Sequence, residues 1–188
     1  MIPLRRYQMT VEEYLTLERA NDARFEYLGG HVTEMMGSTI SEALIYGNLL
    51  VGLGTRIDSL QVFTTGTRLK VPSQAFYTHA DLSVITEAPQ FEDEVTDTLL
   101  NPTIIIEVLS PYTETYDRGK KFHRYQDLQS LQVYLLVHQD EAHVECFRRQ
   151  GAGWYLEHTV GIEANLKLPI VEIEIPFTEI YYRVSLDK

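Results

Sequence analysis

The sequence holds a single cysteine, Cys146, among 188 residues, so no disulfide can form within the chain and no cysteine knuckle can hold a metal. Its setting, "HVECF", reads as a strand position, the usual place of a buried free thiol. Uninterrupted apolar runs stop at about five residues against the roughly 20 needed to cross a bilayer, so no segment is expected to span a membrane. The amino terminus, "MIPLRRYQMTVEEYL", turns polar and acidic directly after its two arginines and lacks the apolar stretch of a secretory signal. Together with the scarce cysteine, this points to the cytoplasm. Basic charge is also short: 16 Lys and Arg stand against 27 Asp and Glu, a net charge of −11. A duplex binder gains much of its affinity by displacing counterions from phosphates, so the chain as a whole repels nucleic acid. Any such contact has to be local.

Several chemical signatures are missing as well. His31, His79, His123, His138, His143 and His158 form no H-E-x-x-H and no i, i+4 pair, which leaves zinc hydrolysis without a motif and the histidines as surface or packing residues. There is no G-x-S-x-G, and Ser110 before Pro111 reads as a turn that closes a strand and leads into a helix. Walker A and G-x-G-x-x-G are absent, and the glycines of "GNLLVGLG" lie inside a helical pattern instead of following a strand.

What is present reads as alternating helices and strands. Thr10 with Glu13 is a capping box for a helix to about Ala20. "RFEYLGGHVTEM" is a hairpin turning at Gly29-Gly30. Leu44, Ile45, Leu49, Val51, Leu53 and Ile57 fall near helical spacing over about 41–58. Strands are expected at 61–71, at 80–85 ("ADLSVI") and at 103–109, with the acids Glu87, Glu92, Asp93, Glu94 and Asp97 in the loop between the last two. "YDRGKKFHRYQDLQ" reads as a helix, "LQVYLLV" and "AHVECFRR" as strands, and "GWYLEHTV" and "LPIVEIEIP" continue a β-rich carboxy-terminal part. The order implies one α/β domain: a mixed β-sheet core flanked by helices.

The most informative stretch is "IIIEVLSP". It is a strand buried on both faces, yet it carries Glu107, whose charge is expensive to desolvate. With a period of two, Ile105, Glu107 and Leu109 share the face against which a helix packs. Asp81 opens the strand "DLSVI", and two strands that each bring a carboxylate to one cleft make a hard-oxygen site for Mg²⁺ or Mn²⁺. The plainer readings are an ion pair from Glu107 to a nearby Lys or Arg, and a strand-capping or turn role for Asp81. Basic charge is bunched at Arg118, Lys120, Lys121 and Arg124, with a smaller group at Arg68 and Lys70.

"FEYLGGHVTEM", "ADLSVI", "IIIEVLSP", "YDRGKKFHRY" and "LQVYLLV", in that order, resemble the Uma2 family (DUF820), abundant in cyanobacteria, of restriction-endonuclease-like proteins. "EVLSP" followed by "DRGKK" is the most specific part, and the resemblance runs from "MTVEEYLTL" to "IPFTEIY". It implies a PD-(D/E)XK nuclease-like domain over residues 1–188, with a strand Asp, a second strand's Glu and a lysine around a divalent metal. Carried over, Asp81 matches the superfamily Asp and Glu107 the acid of E-x-K. Glu26 matches an acid on the first hairpin that could complete the metal shell, and Ser110, Asp117 and Lys121 match further family positions. The carbonyl of Val108 would be another ligand. The sequence departs at three points: Ala80 replaces the Pro before the Asp, Leu109 stands where the lysine is expected, and Ser41 or Glu42 stands where many relatives have a His.

The function implied is Mg²⁺- or Mn²⁺-dependent hydrolysis of DNA. Arg118, Lys120 and Arg124 would contact phosphates, DNA binding would be weak and salt-sensitive, and a homodimer follows by analogy. The alternative is a catalytically inactive nuclease fold that acts as a binding or assembly module. The lysine to replace Leu109 can be chosen by geometry. Helical residues advance about 100° each, and Phe122, Tyr125 and Leu128 define the packed face, so Lys121 lies about 40° from its centre and Lys120 about 140° away. Lys121 is expected to point inward.

Overall fold

The structure is a computed structural model and describes residues 8–56 and 61–186. Residues 1–7, on which much of the amino-terminal reading rests, and Ile57 and Asp58 of the expected second helix lie outside the described residues. No helix among the described residues is long and apolar enough to cross a membrane.

The first helix, α1 (Val11–Arg19), starts at the Thr10/Glu13 capping box. It is followed by β1 (Phe25–Leu28) and β2 (His31–Glu34), paired antiparallel. Gly29 and Gly30 join them, both at positive φ (54° and 94°), the backbone that a tight two-residue turn requires. Helix α2 (Ile40–Gly54) begins one residue before Ser41, because Thr39 and Glu42 form a second capping box. The expected strand 61–71 is two strands, β3 (Gln61–Thr64) and β4 (Arg68–Val71), which belong to different sheets. A turn closed by Thr67 N–H to the Thr64 carbonyl (2.9 Å) separates them. Alternation of apolar residues cannot reveal that the chain has changed sheets.

Strand β5 (Phe76–His79) was not expected, and β6 (Leu82–Ile85) follows after Ala80 and Asp81. Short β7 (Thr98–Leu99) then leads to β8 (Ile104–Leu109). The helix expected over 116–129 is three short pieces: α3 (Glu114–Tyr116), a π-helical turn at Asp117–Lys121, and α4 (Phe122–Tyr125). Strands β9 (Val133–His138), β10 (His143–Gln150) and β11 (Gly153–Val160) follow. The chain ends with β12 (Asn165–Leu168), β13 (Ile173–Pro176) and α5 (Phe177–Ile180).

The result is a mixed α/β fold. One sheet has the order β2-β1-β5-β4-β7, a second has the order β11-β10-β9-β8-β6-β3, and β12 pairs with β13 alone. Within the six-stranded sheet β8 and β9 run parallel while β6 and β8 are antiparallel. Side chains of β8 alternate between two apolar layers. Ile104, Ile106 and Val108 pack with Ile45, Leu49 and Leu53 of α2 and with the β12–β13 hairpin. Ile105 and Leu109 pack on the opposite side with Phe122, Tyr125 and Leu128. The buried run in β8 thus records a strand covered on both faces.

The five-stranded sheet is tied to α1 by a buried ionic network. Arg68 Nε donates to Glu18 Oε2 (2.9 Å) and Arg68 Nη1 lies 3.2 Å from Asp97, while His79 Nε2 is 3.1 Å from Glu18. Arg68 and Glu18 are both buried, so removing one leaves its partner desolvated and uncompensated. Arg68→Ala is expected to lower stability by about 3–5 kcal/mol in chemical denaturation. A loss below about 1 kcal/mol, the range of an exposed pair, would contradict a buried network.

Candidate active site

The chain passes from the five-stranded to the six-stranded sheet at Ala80-Asp81, between β5 and β6. The register Leu82↔Ile106 carries Asp81 to the level of Glu107 on β8. Asp81 Oδ2 accepts from the Val108 N–H at 2.7 Å, so its carboxylate is fixed against the strand that carries Glu107.

Glu107 faces the layer of Ile105 and Leu109 and is buried at 3 % exposure. Its Oε1 lies 2.8 Å from Lys121 Nζ and accepts from the Tyr125 hydroxyl at 3.1 Å. Lys121, also 3 % exposed, donates to the His79 carbonyl (3.1 Å) and lies 3.4 Å from Asp117 Oδ1. The π turn helps set this arrangement. The Phe122 N–H reaches back five residues to the Asp117 carbonyl, and that carbonyl also accepts from the Tyr134 hydroxyl (3.0 Å). Single π turns of this kind occur frequently at functional sites. Asp117 and Lys121 are buried while Lys120 is exposed.

A cavity of about 310 Å³ opens onto this cluster, lined by Glu26, Glu42, Asp81, Glu107, Asp117 and Lys121 among others, with Val108 and Ser110 at its wall. Glu26, on β1, accepts from Thr78 Oγ1 (3.0 Å) and from the Tyr116 hydroxyl. Arg124 donates to the same hydroxyl (3.2 Å) and lies over the Phe76 ring. It therefore helps hold Glu26 in place. Ser110 shapes the exit of β8: its carbonyl accepts from the N–H groups of Thr113 and Glu114, and its hydroxyl sits 3.2 Å from Thr113 Oγ1.

Three basic residues are committed elsewhere. Arg118, expected at a phosphate, is ion-paired with Glu145 and Glu114. Arg68 is consumed by Glu18 and Asp97, and Lys70 by Glu92. The smaller basic group at Arg68 and Lys70 is therefore neutralised, in part by Asp97 and Glu92 of the acidic loop, which folds back on it.

Glu42 and Tyr116 were not foreseen as cavity groups. The Thr39-x-x-Glu42 capping box carries a signal for Glu42. Nothing local marks Tyr116, whose contact with Glu26 joins residues 90 apart in sequence. The histidines also depart from expectation. His138, His143 and His158, scattered in sequence, meet in space beside Glu145.

The electrostatics follow from burial. Glu107 is pushed up to about 8 by desolvation, with Asp117 and Asp81 adding to the shift and Lys121 opposing it. Asp81 is pushed up to about 6, again chiefly by burial, against the Val108 N–H and Lys121. Burial also works against the Lys121 charge, but Glu107 and Asp117 outweigh it and hold the amine well above the ordinary range. Lys121 is thus protonated and serves as the resident counter-charge of the cluster.

Raised carboxylates bind protons more tightly in the folded than in the unfolded chain, so the stability they give at low pH is lost as pH rises. The loss begins above the ordinary values near 4 and is complete past the folded values of about 6 and about 8. Without added metal, the melting temperature should fall between pH 5 and pH 8, and Glu107→Gln should flatten that slope. A melting temperature that rises over this interval, or an unchanged slope in the variant, would contradict the assignment.

Residues 11–178 match the Uma2 family model, described as "Putative restriction endonuclease". Two proteins of Synechocystis, themselves uncharacterized, are similar along nearly their whole length. One is 29% identical over 168 residues, covering 88% of this chain and 95% of the relative. The other is 27% identical over 179 residues, covering 94% and 92%. A crystal structure from Anabaena variabilis, described as a "putative nuclease belonging to DUF820", superposes with a TM-score of 0.73 at 20% identity, over 92% of this chain and 97% of that one. At that identity the likeness shows a shared fold. The family match spans most of the chain, and the protein belongs to the Uma2 family.

Proposed function

We propose that the protein is a divalent-metal-dependent endonuclease that hydrolyses DNA phosphodiester bonds, built as a single nuclease-like domain. The observation that carries this reading is the meeting of Glu26 from β1, Glu107 from β8 and Asp81 from the β5–β6 connection with the buried ammonium of Lys121 in one cavity. The family description and the description of the Anabaena structure agree with it.

The donor set suits Mg²⁺ or Mn²⁺. It is made of hard oxygens, and two of its carboxylates are held above their ordinary range chiefly by burial, a cost that a bound cation would offset. Asp81, Glu107 and the Val108 carbonyl would hold the ion, with Glu26 at the margin. When bound, such an ion polarises a phosphate and lowers the pKa of a water. Lys121, kept protonated by Glu107 and Asp117, orients that water or offsets charge growing on the phosphate, the role otherwise given to the lysine missing at Leu109. Tyr125 and the His79 carbonyl position Glu107 and Lys121. Lys120, exposed beside the cavity, contacts the DNA backbone, and Arg124 acts from behind Tyr116. With so little unpaired basic charge, binding is weak and collapses with salt. A cytoplasmic protein, acting as a homodimer that supplies two centres for two strands, fits the same reading.

Two observations favour a second reading. Lys121 already gives Glu107 and Asp117 a counter-charge, and Glu42 stands near the place where relatives carry a His, as it would in an inactive nuclease fold kept as a binding module. Incubation with supercoiled plasmid and with single-stranded DNA in Mg²⁺, Mn²⁺ or EDTA separates the two. Turnover should need the metal, fall by about 10²–10³ in Lys121→Ala, and survive in Lys120→Ala with weakened DNA binding. Absence of cleavage under every condition would favour the inactive module. Equal loss in both lysine variants at saturating DNA would defeat the assignment to Lys121.

A further inference from the structure

The outer part of the six-stranded sheet carries a second cluster of metal-ligating groups that the nuclease reading does not use. Three register pairs set Glu107, Leu136, Glu145 and His158 in one row across β8, β9, β10 and β11. Glu145 is thus two strands, about 10 Å, from Glu107 on the same face of the sheet. His143 lies on that face two residues before Glu145, and His138 closes β9 beside it. The His138 and His143 rings stack with centroids 4.2 Å apart.

The nitrogens of these rings are sorted by their neighbours. Glu141, in the β9–β10 turn, has Oε1 3.0 Å from His143 Nδ1 and 3.5 Å from His138 Nδ1. A carboxylate there takes the Nδ1 protons and leaves the Nε2 lone pairs free on the far edges of both rings. Those edges face further donors. His138 Nε2 is 3.0 Å from Glu145 Oε1, and His143 Nε2 is 3.0 Å from His158 Nδ1. Two ring nitrogens so close must share a proton or a cation. One donor atom each from His138, His143 and Glu145 lies within 4.8 Å of the others. Donors around a tetrahedral ion at about 2.0–2.1 Å stand about 3.3 Å apart, so side-chain movement closes the three-donor set, and exposed His158, which among these donors touches only His143 Nε2, has to swing in as the fourth. A carboxylate behind the ligating imidazoles is the usual support of such a site.

We propose that His138 Nε2, His143 Nε2, His158 Nδ1 and Glu145 Oε1 form a second metal site, selective for a borderline transition ion such as Zn²⁺ over Mg²⁺. Nitrogen-rich ligation sets its preference apart from the all-oxygen cavity. Arg118 holds both oxygens of Glu145, Nε on Oε2 (3.2 Å) and Nη2 on Oε1, so an ion at Oε1 shares that oxygen with the guanidinium, braces β9, β10 and β11 and, through Arg118, bears on the π turn that carries Asp117 and Lys121. The proposal uses no ligand of the carboxylate cavity and stands whether or not that cavity is catalytic.

Co²⁺ titration of untagged protein, followed by visible absorption, tests it. One equivalent should give the strong d–d bands of a four- or five-coordinate nitrogen site, bleached by Zn²⁺ and unaffected by excess Mg²⁺. His143→Ala should abolish the bands and His158→Gln should weaken Co²⁺ binding at least tenfold, while Asp81→Asn leaves them intact. His158 is exposed on β11, so its variant keeps the test decisive if His143→Ala fails to fold. Absence of the bands in the wild type, their persistence in His158→Gln at wild-type affinity, or their loss in Asp81→Asn would overturn the proposal.

Discussion

The contact of Lys121 Nζ with Glu107 Oε1, 2.8 Å long and closed to water, is the constraint around which the cavity is arranged. A carboxylate in the middle of β8 is unfavourable unless it is paired and hydrogen-bonded. The groups that satisfy it come from every direction: Lys121 from the π turn, Tyr125 from α4, and the His79 carbonyl, which holds Lys121, from β5. An ion pair of this kind adds little to stability compared with an apolar substitute. Its retention is understandable if the charges serve chemistry.

The acid surplus takes on a different meaning in three dimensions. Asp93 and Asp97 bind Arg19, Glu18 and Asp97 bind Arg68, Glu92 binds Lys70, and Glu145 binds Arg118. Bases that looked free in the sequence are held by acids far along the chain. The residual positive surface near the cavity is Arg24, exposed at its wall, and Lys120, with Arg124 half-buried behind Tyr116. A protein of this charge gains little from long-range attraction to a phosphate backbone. In the proposed function, specific contact inside the cavity has to supply what the surface does not.

Much of the fold was legible because its signals are local. The Thr10 capping box, the Gly29-Gly30 turn and the buried run of β8 each depend on a few adjacent residues. The inward direction of Lys121 followed from helical spacing, even though the segment is a π turn between two short α-helical pieces, because Phe122 and Tyr125 still fix the packed face. What escaped was non-local. The change of sheet between β3 and β4 leaves the apolar alternation untouched. The Tyr116–Glu26 contact, the folding back of the acidic loop, and the meeting of His138, His143 and His158 all depend on which strands become neighbours, which sequence spacing does not encode.

In the proposed function Asp81 and Glu107 are a protonation-sensitive pair held ready for a divalent cation. Calorimetric titration with Mn²⁺ near pH 7, repeated in buffers of different ionisation enthalpy, tests it most directly, because an ion that displaces the proton held on Glu107 must release it to the buffer. The account predicts binding by the wild type with release of about one proton per ion, and an affinity at least tenfold weaker in both Asp81→Asn and Glu107→Gln. Binding with no proton release, or with equal affinity in the wild type and both variants, would contradict it.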